Sequence, residues 1–199
     1  MSSRYERCRD MIYLLRHGET VWNAAGRFQG QKDSPLTSRG IRQADQAAER
    51  LAWEISRCNA RFDIHVSPLG RARETADRIA RSIPLVAKED PRLMEVTMGS
   101  WDGMTRHEID FEYPGALHGT DAFDWYFRSP DGETFDDACA RAESWISEIS
   151  TPTIAISHGL TGRLIRGINL GLSRREMLEL PVSQDGFYHL QHGQAAFIG

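Results

Sequence analysis

Short apolar runs alternate with longer amphipathic segments along this chain, and that alternation limits its fold more than any other feature. Strands are predicted at residues 11–15, 62–67, 85–86 and 153–157, with a hairpin around Gly193 at residues 186–198. Helices are predicted from N-caps at Thr37 and Thr134 and at residues 71–81, 161–170 and 174–180. This order predicts an α/β fold: a three-layer sandwich whose mainly parallel sheet carries helices on both faces.

Chemically active side chains follow three of the predicted strands. Arg16 and His17 follow the first strand, Arg71 lies shortly after the second, and His158 with Gly159 follows the later buried strand. Ligands of parallel α/β sheets bind beyond the carboxyl ends of the strands, so these residues are expected to meet at one edge. A glycine after each histidine allows close approach of the backbone.

Two histidines beside two arginines suit phosphate better than a metal ion. Arginine repels a cation, and Glu19 is the one carboxylate at these strand ends. Two guanidinium groups would neutralise phosphoryl oxygens, while one histidine attacks phosphorus. The nearby cations favour the neutral imidazole, which has the lone pair that attack needs. The sequence therefore predicts a phosphoryl site with no metal and no cofactor.

The leaving group also needs a proton donor, and two carboxyl groups compete for that role. Glu95 lies among apolar neighbours in the sequence, which favour the protonated form. Glu19 is closer in sequence to the attacking histidine. The choice between these two acids stays open at this level.

Several blocks of the chain, taken in order, resemble the histidine phosphatase superfamily, which includes cofactor-dependent phosphoglycerate mutase. The likeness extends over nearly the whole chain. The matching blocks are residues 15–20 with 22–23, residues 26–31 with 33–37, residues 67–69 with 71–72 and 75–76, Glu95 with 99–103, and residues 157–159.

This resemblance implies a phosphoglycerate mutase-like fold and a role for each matched residue. His17 would form a phosphohistidine intermediate, and Glu95 would act as proton donor and then as the base that activates water. The phosphoryl group would be held by Arg16, Arg71 and His158, with Gly159 beside them. The resemblance places a further phosphate contact at Asn23, and contacts to the rest of the substrate at Gln29 and Gly30.

Residues 101–133, the lid segment, are interpreted as a helical insertion over the site of a single domain that spans residues 1–199. The segment has eight acidic residues, two arginines and seven aromatic residues: Trp101, Phe111, Tyr113, Phe123, Trp125, Tyr126 and Phe127. An acidic lid would repel a bisphosphate, and no basic cluster is evident, so a phosphatase is favoured. It would act on a small phosphomonoester with a neutral or apolar remainder, and it looks most similar to the α-ribazole and broad-specificity phosphatases.

Three alternatives remain beside this phosphomonoesterase. One is a phosphoglycerate mutase that uses the same intermediate. The second is a phosphoprotein phosphatase, and the third is a binding protein that keeps the fold without the activity. Completeness of the residue set argues against the last.

Composition limits the partners and the compartment. With 24 basic and 28 acidic residues the net charge is −4, which argues against a broadly basic binder of nucleic acid or membranes. Three cysteines without paired spacing favour a reducing, cytoplasmic location. The first apolar run is too short for a signal peptide or a membrane span. The expected partner is a small phosphorylated substrate, and a homodimer through the C-terminal strands is left open.

Overall fold

A computed structural model describes residues 11–120 and 124–199, so Cys8 and Phe123 lie outside the described residues. The strands are β1 (Ile12–Arg16), β2 (Asp63–Val66), β3 (Ala87–Glu89), β4 (Thr153–Ser157), β5 (Phe187–Gln191) and β6 (Gln194–Ile198). The helices are α1 (Val21–Ala24), α2 (Ser38–Ser56), α3 (Gly70–Ser82), α4 (Arg106–Glu112), α5 (Phe135–Ser147), α6 (Gly159–Leu170) and α7 (Arg174–Glu179). None of the described helices is long and apolar enough to cross a membrane.

The six strands form one mixed sheet in the order β3-β2-β4-β1-β5-β6. The first four strands in this order are parallel, and the C-terminal hairpin adds two antiparallel strands. Arg16 of β1 pairs with Ser157 of β4, and Val66 of β2 pairs with Ile156. The residues that follow these three strands therefore lie at the same edge of the sheet.

Both faces of the sheet are covered, which explains why its central strands are apolar on both sides. In β1, Tyr13 and Leu15 pack in the cluster that contains Leu51 of α2 and Ile79 of α3. The alternate residues of β1 pack in a second cluster with Trp145 of α5. The predicted three-layer α/β sandwich is confirmed.

Helix starts follow the predicted caps, whereas the short elements differ from the prediction. The Thr37 hydroxyl accepts a hydrogen bond from Gly40 N at 3.0 Å, and Thr134 accepts one from Asp137 N at 3.1 Å. The strand predicted at 85–86 lies two residues later, as β3. Helix α4 lies in the lid segment, which was interpreted as helical. Helix α1 was not predicted, because a single turn is too short to show a 3.6-residue period.

The described part of the lid segment has a small apolar core of its own. This third cluster is formed by Met98, Trp101, Ile109, Leu117 and Trp125. The turn Asp124–Phe127 brings Tyr126 from this cluster to the wall of a cavity at the carboxyl edge of the sheet.

Candidate active site

A cavity of about 240 Å³ opens at the carboxyl edge of the parallel strands. Among the predicted site residues, those that line it are Arg16, His17, Asn23, Gln29, Gly30, Arg71, Glu95 and Gly159. His158 lies next to the cavity, with its ring centroid 5.1 Å from that of His17. The fold thus brings together residues that are far apart in the sequence.

The hydrogen bonds of His17 determine which ring nitrogen carries the proton. Its Nδ1 lies 2.8 Å from the Gly18 carbonyl oxygen, and its Nε2 lies 3.1 Å from Nε of Arg71. A carbonyl only accepts and a guanidinium only donates, so these partners assign the proton to Nδ1 and the lone pair to Nε2. Burial, reinforced by Arg16 and Arg71, holds the pKa of His17 well below its usual range.

Arg71 is a buried cation of α3 that is fixed by the loop between α1 and α2. Its Nη2 donates to the Gly30 carbonyl at 2.7 Å, and its Nη1 donates to the Lys32 carbonyl at 2.7 Å. The Asp33 carboxylate accepts a further bond from Nη1 at 3.1 Å. Because the Arg71 side chain is only 1% exposed, its charge acts on the cavity with little screening by solvent.

Arg16 and His158 each have a buried nitrogen with no hydrogen-bond partner among the described residues. These atoms are Nε of Arg16 and Nδ1 of His158. The other ring nitrogen of His158 lies 2.7 Å from the Ser67 hydroxyl. Buried polar atoms are nearly always paired, so two such atoms beside one cavity are what an anion site would leave open. Burial lowers the pKa of both groups.

Glu95 is held by the first amides of α6. Its Oε1 accepts hydrogen bonds from the Val96 and Thr161 amides, both at 3.0 Å, and its Oε2 accepts one from the Leu160 amide at 3.2 Å. The prediction that Glu95 has apolar surroundings is therefore wrong, because backbone amides donate to both oxygens of its carboxyl group. Oε1 also contacts the Thr161 hydroxyl at 3.1 Å, which leaves Oε2 with the greater capacity for a new partner.

Glu19, the competing acid, lies outside the cavity wall. Its Oε1 accepts a hydrogen bond from the Thr37 hydroxyl at 2.8 Å, and its Oε2 is 3.6 Å from Arg39. Of the two predicted candidates, Glu95 is the one that lines the cavity together with His17.

The amide of Asn23 is oriented by two donors. Its Oδ1 accepts from the Thr20 amide and from Nε2 of Gln184, both at 3.2 Å. Gln184 also donates to the His17 carbonyl at 3.0 Å. With the oxygen of Asn23 occupied, its amino group is the side that remains to donate to an anion.

Gln29 and Gly30 form one wall of the cavity. The Gln29 side-chain oxygen accepts from the Ser34 hydroxyl at 3.1 Å, which fixes the side chain. Gly30 has a φ of +50°, and a Cβ there would overlap the Asp102 carboxylate. Only glycine therefore fits at this position.

Comparison with known proteins identifies the family. A profile of the histidine phosphatase superfamily (branch 1) matches residues 12–197. The chain is a member of this superfamily. The probable phosphoglycerate mutase GpmB of Yersinia pestis is 36% identical over 171 residues, which cover 81% of this chain and 75% of that protein.

Solved structures of superfamily members share the fold. The α-ribazole phosphatase of Shigella flexneri superposes with a TM-score of 0.78 at 25% identity, with 94% of each chain covered. A mycobacterial glucosyl-3-phosphoglycerate phosphatase has a TM-score of 0.75 at 26% identity, with 94% and 96% covered. The resemblance inferred from the sequence is confirmed at the level of family and fold.

Three residues with polar side chains line the cavity although the sequence did not assign them to the site: Arg27, Tyr126 and Arg163. Arg27 is held by Glu108 at 2.6 and 2.8 Å, and Nε of Arg163 donates to the Leu180 carbonyl at 2.7 Å. No aspartate or glutamate from the described part of the lid segment lines the cavity. The expectation that the site has no basic residues beyond Arg16 and Arg71 is therefore wrong, and the acidic residues of the lid segment that the structure describes do not line the cavity. A signal for Arg163 was available, since it lies in the first turns of α6, the helix that begins directly after His158.

The buried histidines predict a loss of stability in mildly acidic solution. Burial lowers the pKa of His17 and His158, whereas the unfolded chain binds these protons near pH 6.5. The unfolded state then holds more protons below pH 6.5, so stability falls with falling pH until the depressed pKa is reached. In this window, each of the two histidines should lower the free energy of unfolding by about 1.4 kcal/mol for every pH unit of acidification.

Urea unfolding at a series of pH values from 7.5 to 5 measures this loss. The His17→Gln variant should have a shallower dependence of the unfolding free energy on pH, by about 1.4 kcal/mol per unit at the lower end. An unchanged slope in that variant would contradict the assignment of a neutral His17 in the folded protein.

Proposed function

We propose that the protein is a metal-independent phosphatase that hydrolyses a small phosphomonoester through a phosphohistidine on His17. The observation that carries the proposal is the unprotonated Nε2 of His17 beside the buried guanidinium of Arg71, 3.1 Å away. A neutral imidazole is a nucleophile, and the cation next to it suits the phosphoryl oxygens.

In the first half of the proposed reaction, the Nε2 lone pair of His17 attacks phosphorus and the ester P–O bond breaks. Arg16 and Arg71 stabilise the charge on the equatorial oxygens, and His158 completes the phosphoryl site. The leaving alcohol takes its proton from the Oε2 of Glu95.

In the second half, water replaces the alcohol. Glu95 accepts a proton from the water as its oxygen attacks phosphorus, and the P–N bond to His17 breaks. Phosphate leaves and the imidazole regains its lone pair. Glu95 ends protonated, ready for the next cycle.

The direct test is hydrolysis of p-nitrophenyl phosphate in excess EDTA. We expect p-nitrophenol and phosphate to form in equal amounts at a rate that the chelator does not change. Quenching in alkali, which preserves phosphohistidine, should recover protein that carries a phosphoryl group. Loss of turnover in EDTA, or an absence of turnover on any phosphomonoester, would contradict the proposal.

A phosphoglycerate mutase is the second candidate, and a specific observation favours it. Arg163 adds positive charge to the cavity wall, which suits a second anionic group, whereas the charge of Arg27 is balanced by Glu108. The matched Yersinia protein is named a probable mutase. The solved structures quoted above are phosphatases. Incubation with 3-phosphoglycerate and bisphosphoglycerate separates the two functions. A phosphatase releases phosphate, whereas 2-phosphoglycerate formed without matching phosphate release would establish the mutase.

A further inference from the structure

Among the residues of the lid segment that the structure describes, Tyr126 is the one that lines the cavity. Its ring stacks on Trp125 with centroids 4.1 Å apart and an interplanar angle of 22°. Phe28 meets the Tyr126 ring edge-on at 5.8 Å and also packs against Trp125 at 4.6 Å. These aromatic contacts fix the position of the ring, so its hydroxyl has a defined place.

The Tyr126 hydroxyl makes no hydrogen bond to any residue that the structure describes. Burial is the main reason why its pKa is raised, so the hydroxyl stays protonated and can donate. Tyr126 lines the cavity together with Arg163, Glu95 and Arg16. A hydroxyl without a partner on this ring is therefore available to a molecule bound there.

The neighbours of Tyr126 indicate which part of a substrate it meets. The phosphoryl group belongs at His17 and Arg71, and the ester oxygen belongs at Glu95, if the proposed phosphatase function holds. Because Tyr126 of the lid segment lines the same cavity as Glu95, it is placed to meet the alcohol part of the ester. The cavity of about 240 Å³ is large enough for the phosphoryl group and a short alcohol.

We propose that Tyr126 is a specificity-determining residue whose hydroxyl donates a hydrogen bond to an oxygen next to the ester carbon of the substrate. This inference rests on the proposed function and narrows it. The preferred substrates are then short phosphomonoesters that carry a hydroxyl or a carboxylate beside the phosphorylated carbon. The positive charge of Arg163 in the same wall suits the carboxylate in particular.

The Tyr126→Phe variant tests this inference, because it removes the hydroxyl and keeps the stacked ring. We compare kcat/KM for three short esters: propyl phosphate, glycerol 3-phosphate and 2-phosphoglycolate. The ratio of glycerol 3-phosphate to propyl phosphate should fall about tenfold, as expected for one hydrogen bond. The ratio of 2-phosphoglycolate to propyl phosphate should fall by about tenfold to 100-fold, because bonds to charged groups are stronger.

Tyr113→Phe is the matched control. Tyr113 packs on Trp101 in the same lid cluster at 5.7 Å and does not line the cavity. This variant should leave all three substrate ratios unchanged. Unchanged ratios in Tyr126→Phe as well, or an equal loss on all three esters, would overturn the role of Tyr126 in specificity.

The outcomes separate this inference from the proposed function. If the wild-type protein hydrolyses neither these esters nor p-nitrophenyl phosphate, the phosphatase itself is refuted and the inference falls with it. If it hydrolyses them and the Tyr126→Phe ratios do not change, only the inference is refuted. A fall confined to 2-phosphoglycolate identifies the carboxylate as the recognised group, and a fall for both esters identifies the oxygen atom they share.

Discussion

Replacement of His17 by alanine should lower the hydrolysis of p-nitrophenyl phosphate by about a millionfold, the loss typical of a deleted nucleophile. Nε2 of His17 carries the lone pair that accepts the hydrogen bond from Arg71 and that would attack phosphorus. Alanine has no atom that can accept the phosphoryl group. Initial rates in excess EDTA measure the loss. The phosphorylated protein should also disappear from alkali-quenched samples.

His107→Ala is the matched control for this experiment. His107 is an exposed residue of α4, so its removal should leave turnover and phosphorylation intact. Because the deleted side chain is buried, at 2% exposure, its loss could also affect folding. A cooperative thermal unfolding transition is therefore needed to show that the His17→Ala protein is folded. A folded His17→Ala protein that kept a tenth of the wild-type rate would refute the phosphohistidine route.

Replacement of Arg71 by alanine should reduce kcat/KM by about 100-fold to 1,000-fold, which corresponds to about 2.7–4 kcal/mol of transition-state stabilisation. The same change should also lower the free energy of unfolding. The buried carbonyl of Gly30 loses the donor that holds it at 2.7 Å, and an unpaired buried group costs about 1–3 kcal/mol. Steady-state kinetics and urea unfolding measure the two effects separately.

Arg73→Ala is the control on the same helix. Its side chain is 59% exposed and lies 3.4 Å from Glu89, so its loss should change stability by less than about 1 kcal/mol. Arg71→Lys keeps the positive charge but loses the planar guanidinium group. Its kcat/KM should therefore lie between those of the wild type and the alanine variant. Full kcat/KM in Arg71→Ala would mean that the phosphoryl group binds elsewhere.

The fold and the arrangement of the strand ends were predictable because they depend on local patterns. Strand β1 is apolar at every core position since both faces of the sheet are covered, and Arg16 and His17 follow at its end. Thr37 could be assigned as a cap from its own neighbours in sequence.

Other contacts at the site depend on residues far apart in the chain, and they were not predictable. The surroundings of Glu95 were judged from its neighbours in sequence, whereas its hydrogen-bond donors include Leu160 and Thr161, more than sixty residues away. Arg27 and Tyr126 reach the cavity only because the lid segment packs as a separate cluster. No local pattern in the sequence indicates how such a cluster docks.

The bond between Nδ1 of His17 and the Gly18 carbonyl also determines the identity of the proposed intermediate. Histidine can be phosphorylated on either ring nitrogen, and the two products are distinct positional isomers. With one nitrogen engaged by the backbone, the phosphoryl group can reside only on the nitrogen remote from the main chain. An antibody raised against that isomer should label the protein during turnover, and an antibody against the other isomer should not.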